Sequence, residues 1–231
     1  MRGLLVKAIK FAAALLLLPL FPPVALSAWK LAAAIPRQNL FLENPLSLAL
    51  GGLVVWGIFS ALFRLPTRVY VFAHEMTHAL FIRLCGGQVK KVSVGRDSGY
   101  VIADRTNFLI ALSPYVFPFY AALLALAGAA AGLARPLGGW VFALWPAIGV
   151  ALGYHWTMTL KMLPTRQSDF GSQGYFFSFV FIALGNLLWL WALLVLLPTP
   201  AGGMAKLGTL AAAAGVSYRE AALWLLRLAG N

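Results

Sequence analysis

The sequence predicts an all-α polytopic membrane protein of about six transmembrane helices, with a small β-hairpin after the third. Three observations carry that expectation. Apolar residues make up 61% of the 231 and charged residues only 10%, where a soluble domain is nearer a quarter charged. Apolar runs of about 20 residues, the length that crosses a bilayer as a helix, recur along the chain. One segment, 86–104, abandons that character and alternates apolar and polar residues around "GRDSG". Residues 1–231 are expected to form a single membrane-embedded domain.

The first expected span is 8–28, where Arg2, Lys7 and Lys10 lead into an apolar core and Pro19, Pro22 and Pro23 should kink or end the helix. The same features resemble a signal peptide, with "ALSA" offering small residues for cleavage after Ser27, so a retained helix and a cleaved leader are both open. Further spans are expected over 46–63, 66–85, 107–133, 138–161 and 174–197. Pro114 and Pro118 give the 107–133 span an irregular start. The 86–104 hairpin reads either as a capped turn or as an edge strand that holds an extended peptide. Residues 204–228 carry Lys206, Arg219, Glu220 and Arg227 on an apolar helix, which reads as an interfacial amphipathic helix or as one packed on the bundle.

A net charge of +12 raises the question of nucleic acid. The 18 Lys and Arg flank the hydrophobic runs instead of forming a patch, so they read as juxtamembrane anchors and no nucleic-acid partner is expected. They divide evenly between the two sides of a six-span scheme, which leaves the orientation open. A single cysteine, Cys85, excludes an intrachain disulfide and a cysteine-rich zinc module, and reads as an apolar packing residue.

Ionisable groups inside apolar spans are expensive and mark function by default. "HEMTH", residues 74–78, puts two histidines and a glutamate inside the third span. Positions four apart share a helix face, so His74 and His78 can ligate one metal while Glu75 stands beside them as a general base. Such a site acidifies water and polarises a carbonyl. A catalytic zinc takes a third protein ligand and keeps one position open. Two residues are candidates for that ligand: Asp169, in "PTRQSDFGSQG", and His155, within the fifth span. Asp169 otherwise reads as a loop acid or helix cap, with Gly171 and Gly174 permitting a tight turn into the last span. His155 otherwise reads as a bundle histidine bonded to Thr159, or as a residue that orients a ligand or stabilises an oxyanion. Gln167 and Asn186 are candidate polar support, and Asn186 otherwise reads, by preference, as a helix-packing residue.

These residues resemble a known family. An H-E-x-x-H on a transmembrane helix followed by a glycine-led hairpin, here "HEMTHALFIRLCGGQVKKVSV", is similar to the site-2 protease family of intramembrane zinc metalloproteases. The resemblance covers about residues 66–190, with its specific part in 74–95, and is nearest to the short bacterial members without a PDZ domain. It implies Zn2+ held by His74, His78 and Asp169, Glu75 as the base, and a membrane protein or peptide as substrate in the lipid bilayer of a bacterial cell. The family usually carries Asn-Pro-Asp-Gly or Leu-Asp-Gly at the third ligand, and this chain has "QSDFG". Two other classes fit the residues: a non-proteolytic metal-binding transport or scaffold subunit, which does not need Glu75, and a membrane hydrolase of a non-peptide amide.

Overall fold

The computed structural model describes residues 2–34, 44–134, 138–164, 168–196 and 203–229. The described chain is mostly helical, with one two-stranded sheet. It divides into two compact units, Met1–Pro36 with Gln173–Asn231, and Arg37–Ser172.

In the first unit, α1 (Arg2–Leu17) passes through a 3-10 turn at Leu18–Leu20 into α2 (Phe21–Ala33). The prolines expected to kink or end the first span interrupt its α-helix with the 3-10 turn without ending the apolar path. Pro19 and Pro22 fall at the second positions after the 3-10 and α2 caps, where the missing N–H has no helical partner to lose, and the apolar path runs from Gly3 to Ala33. α9 (Tyr175–Leu196) lies against α1 and α2, and α10 (Gly203–Ala229) lies against α2, the 3-10 turn and α9. Several polar groups in these apolar helices are paired, although the buried Ser178 hydroxyl in α9 has no hydrogen bond among the described residues. Lys10 Nζ donates to Gln173 Oε1 at 2.5 Å, and Trp191 Nε1 to Ser27 Oγ at 2.9 Å. The Tyr218 hydroxyl donates to the Leu16 carbonyl at 2.8 Å, which ties α10 to α1 within this unit.

The second unit is built on α3 (Pro45–Leu62), α4 (Thr67–Leu84), α5 (Phe108–Val116), α6 (Phe119–Ala134) and α7 (Val141–Met162). α3 starts on an Asn44 cap, whose side chain accepts the Leu46 N–H at 2.9 Å. It pairs closely with α7. A Cβ on Gly52 would collide with the Pro146 carbonyl, and one on Gly149 with the Ala49 carbonyl, so glycine on both helices lets the backbones touch. Trp56 seals the pair, edge-on to Tyr154 at 5.0 Å and donating Nε1–H to Thr157 Oγ1 at 3.1 Å.

The expected span over 107–133 is two helices. α5 and α6 meet at a 76° bend. Phe117 takes an extended conformation (φ −89°, ψ 108°), the bias imposed on a residue before proline, and Pro118 has no N–H with which to continue the helix. Three helical paths among the described residues, Gly3–Ala33, Pro45–Leu62 and Tyr175–Val195, are long and apolar enough to cross a membrane, and a fourth is reached if the bent pair counts as one. The helices containing HEMTH and His155 are not among them. In α4, Arg68, Glu75 and Arg83 join the two histidines to lower its apolar content.

The hairpin is present as expected. α4 ends in a Schellman turn, in which Gly86 takes φ +74°, its N–H donates to Arg83 O, and the Gly87 N–H donates to Ile82 O. β1 (Val89–Val94) and β2 (Gly99–Ala103) follow, antiparallel, with a bulge at Lys90. Both strands contact α4, and at the hairpin tip Asp97 accepts from Thr67 Oγ1 at 3.0 Å. At its base Asp104 Oδ1 accepts the Gln88 N–H at 2.8 Å, a bond that holds the Asp104 carboxyl below the usual carboxylate range. That contribution is present at neutral pH and is lost as acid protonates Asp104.

Replacing Gly149 with Leu forces α3 and α7 apart and is expected to lower the thermal midpoint by about 2–12 °C. Gly51→Leu, at a site with nothing within 4 Å, leaves it unchanged. Thermal unfolding of the purified protein in detergent checks both.

Candidate metal centre

HEMTH lies in the middle of α4, so His74 and His78 stack one turn apart on one face, with ring centroids 4.8 Å apart. Asp169, in the first turn of the short helix α8 (Ser168–Gln173), comes to the same place. Its Oδ2 is 3.9 Å from His74 Nε2 and 3.9 Å from His78 Nε2. The three groups form the cluster among the described residues that suits a metal, each offering one donor atom. Donors about 2.0–2.1 Å from a tetrahedral zinc stand about 3.4 Å apart, and the three donor atoms here all lie within 4.8 Å of one another, so closure on an ion draws them together.

Each donor is held from behind. His78 Nδ1 lies 2.9 Å from the Ile110 carbonyl, which can only accept, so Nδ1 carries the proton and Nε2 is left for the metal. Pro114 makes that carbonyl available. Within α5 the residue four after Ile110 would normally donate to it, and Pro114 has no N–H. Ser113 Oγ shares the freed acceptor at 2.9 Å. His74 Nδ1 stands 3.2 Å from the Tyr70 hydroxyl, so with Nε2 given to a metal it donates to the Tyr70 oxygen. The Tyr115 hydroxyl donates to Asp169 Oδ2 at 3.1 Å. The Tyr115 ring, fully buried, packs edge-on to His74 at 5.2 Å and against Phe170 at 4.6 Å, which fixes Asp169 through its neighbour as well.

Glu75 is buried on the flank of this face. The first residue of β2 lies directly on it: a Cβ on Gly99 would sit 2.6 Å from Glu75 Cγ and 2.9 Å from Oε1. Glycine is therefore what lets the hairpin backbone reach the glutamate. A cavity of about 560 Å³ opens here, lined by His74, Glu75, His78 and Asp169 on one side and by β2 on the other. Gly95 N–H donates to Ser98 O, which sets the alternation of the ladder. In that register Gly99 and Val101 fall at non-hydrogen-bonded pairs, so their N–H and C=O groups point away from β1, along the free edge.

The other sequence candidates fall elsewhere. His155 is buried on α7 and lines a separate cavity of about 20 Å³, which His74 also borders, but it is not part of the donor cluster. Thr159 is not its partner, since Thr159 Oγ1 is buried without a hydrogen bond among the described residues. Asn186, in the first unit, donates Nδ2–H to Ile182 O at 2.8 Å within its own helix. Gln167 lies outside the described residues. Gly174 takes φ +91° between α8 and α9, as a tight turn requires, whereas Gly171 stays inside α8. Sequence reasoning missed Tyr70, Tyr115 and the Ile110 carbonyl. The one available signal for the last was Pro114, four residues after Ile110.

Tyr115→Phe removes the bond to Asp169 and is expected to weaken metal retention about tenfold, the lower end of the range for groups that orient a ligand. Pro114→Ala returns an N–H to the Ile110 carbonyl in competition with His78, and a loss of similar size is expected. Titration against a chromophoric chelator measures both.

No family model matches the chain, and neither does any curated protein or solved structure at the level that shows kinship, so the placement of His74, Glu75, His78 and Asp169 carries the functional reading.

Proposed function

We propose that this chain is a zinc-dependent intramembrane endopeptidase of the site-2 protease type, a multi-pass protein of the bacterial cell membrane with about six spans. The observation that supports it most is the convergence of Asp169 on the HEMTH face, 3.9 Å from both imidazoles, with buried Glu75 beside them and an open cavity in front. Two imidazole nitrogens and one carboxylate oxygen, with room for a fourth ligand, fit a catalytic zinc better than a structural one. In this reading α4 and α7 add to the apolar helices to complete the spans, and α4 is shielded by α5, α6 and the hairpin.

His74, His78 and Asp169 would hold the ion, with Tyr70, Ile110 and Tyr115 fixing their orientation. The ion, when bound, supplies acidification of water and polarisation of the scissile carbonyl. Glu75 takes a proton from that water on its carboxylate and returns it to the amine nitrogen as the C–N bond breaks. The hydroxyl stays on the carbonyl carbon, so the products are a new carboxyl and a new amine. The outward N–H and C=O groups of Gly99 and Val101 pair with an extended peptide and set its carbonyl beside Glu75. The substrate must be extended or locally unwound, because a helix keeps its carbonyls in its own hydrogen bonds.

Glu75→Gln is expected to keep bound zinc and to lose cleavage of a quenched apolar peptide by about 100-fold to 10,000-fold. His74→Ala is expected to lose both. Metal analysis and fluorogenic hydrolysis on the purified full chain test this. Full cleavage by Glu75→Gln contradicts the reading, and zinc binding with no hydrolysis by the parent points to the non-proteolytic metal-binding class.

A further inference from the structure

The cavity that Glu75 and Asp169 line is also lined by Asp104 and Arg105, just past the end of β2. Arg105 is a placed side chain. Its Nη1 donates to the Cys85 carbonyl at 3.2 Å, at the C-terminus of α4. Its stem crosses Gly87 so closely that a Cβ there would sit 2.8 Å from Arg105 Cγ. Gly87 therefore gives the arginine its track. The neighbouring Asp104 accepts the Gln88 N–H through Oδ1 and feels the Arg105 charge only through space. Among the described residues no carboxylate forms an ion pair with Arg105, and the pairs present are those of Asp169 with the two histidines.

A guanidinium held in the wall of a binding cavity, with donors left over, matches a carboxylate better than any other common peptide group. We propose that Arg105 recognises a carboxylate of the bound peptide, and so selects substrates with an acidic group several residues from the bond presented to Glu75. The proposal rests on the peptide-binding reading above and adds a substrate class to it. The spacing follows from the strand. β2 is extended from Gly99, which touches Glu75, to Ala103, and Arg105 follows two residues later, so the two lie at most about 20 Å apart at about 3.3 Å per residue. A peptide paired with the β2 edge thus brings its carboxylate to Arg105 about four to seven residues from the scissile bond. The group is an Asp or Glu side chain or the chain's own terminal carboxylate.

The test uses the full chain carrying Glu75→Gln, so that nothing is turned over, and labelled 14-residue apolar peptides read by fluorescence anisotropy. One Asp is stepped along the peptide and compared with Asn at each position, with free-acid and amidated C-termini in parallel. An Asp advantage of about fivefold is expected at a position four to seven residues from the centre, the upper end for a partly exposed ion pair. Arg105→Met, which keeps a stem over Gly87, removes the advantage, and Arg105→Glu shifts the preference to Lys. An advantage of the free acid over the amide, lost in Arg105→Met, assigns the carboxylate to the chain end. Equal binding of Asp and Asn peptides with no effect of the terminus, or an advantage that survives Arg105→Met, overturns the proposal. Absence of binding by every peptide overturns it together with the endopeptidase reading. An Arg105-dependent advantage with no cleavage by the parent chain leaves the recognition standing and removes the endopeptidase alone.

Discussion

Asp169 Oδ2 sits 3.9 Å from the Nε2 atoms of both His74 and His78, in a chain that has six acidic residues and three histidines in all. Holding two imidazoles and a carboxylate together, away from bulk water, is unfavourable unless each is hydrogen-bonded and oriented. Much of the second unit serves that requirement. The Ile110 carbonyl takes the His78 proton, the Tyr70 oxygen faces His74, and the Tyr115 hydroxyl binds Asp169. These partners come from different elements, so the donor set depends on how α4, α5 and α8 are packed and not on HEMTH alone.

Two local irregularities make the packing possible. The bend at Phe117–Pro118 breaks what would be one long span, and the resulting short helix brings both Tyr115 and the Ile110 carbonyl to the histidines. Pro114 leaves that carbonyl without its helical donor. In water the loss of one helical bond would simply weaken the helix, whereas here the vacancy is filled by His78 and Ser113. On the other side of α4, two glycines do related work. Gly86 reverses the chain out of the helix, and Gly99 lets β2 approach Glu75 within van der Waals reach. The hairpin thereby becomes one wall of the cavity, with the free edge of a strand along it.

Features encoded by local pattern were legible in the sequence. Apolar runs gave the helices, alternation around "GRDSG" gave the hairpin, and the four-residue spacing of His74 and His78 gave two donors. Asp169 was legible only as one of two candidates, because its approach to α4 is a tertiary fact across ninety residues of chain. What sequence could not supply was of that tertiary kind. Tyr70 and Tyr115 look like any aromatic residue in an apolar helix, and Arg105 looks like an anchor at the end of a strand. The prolines marked irregular backbone in both places, but not its extent. Pro19, Pro22 and Pro23 were tolerated at helix starts, whereas Pro118 split a span in two. In each case the outcome turned on where the missing N–H fell relative to the helix register.

The central claim is that His74, His78 and Asp169 together bind one catalytic metal ion. Zinc K-edge X-ray absorption on the purified full chain addresses it most directly. The account predicts one zinc per chain in a four-coordinate shell of nitrogen and oxygen at about 2.0–2.2 Å, with the multiple scattering of two imidazoles, and loss of that spectrum in Asp169→Ala. Sulfur in the shell, no imidazole scattering, or a spectrum unchanged by Asp169→Ala would contradict it.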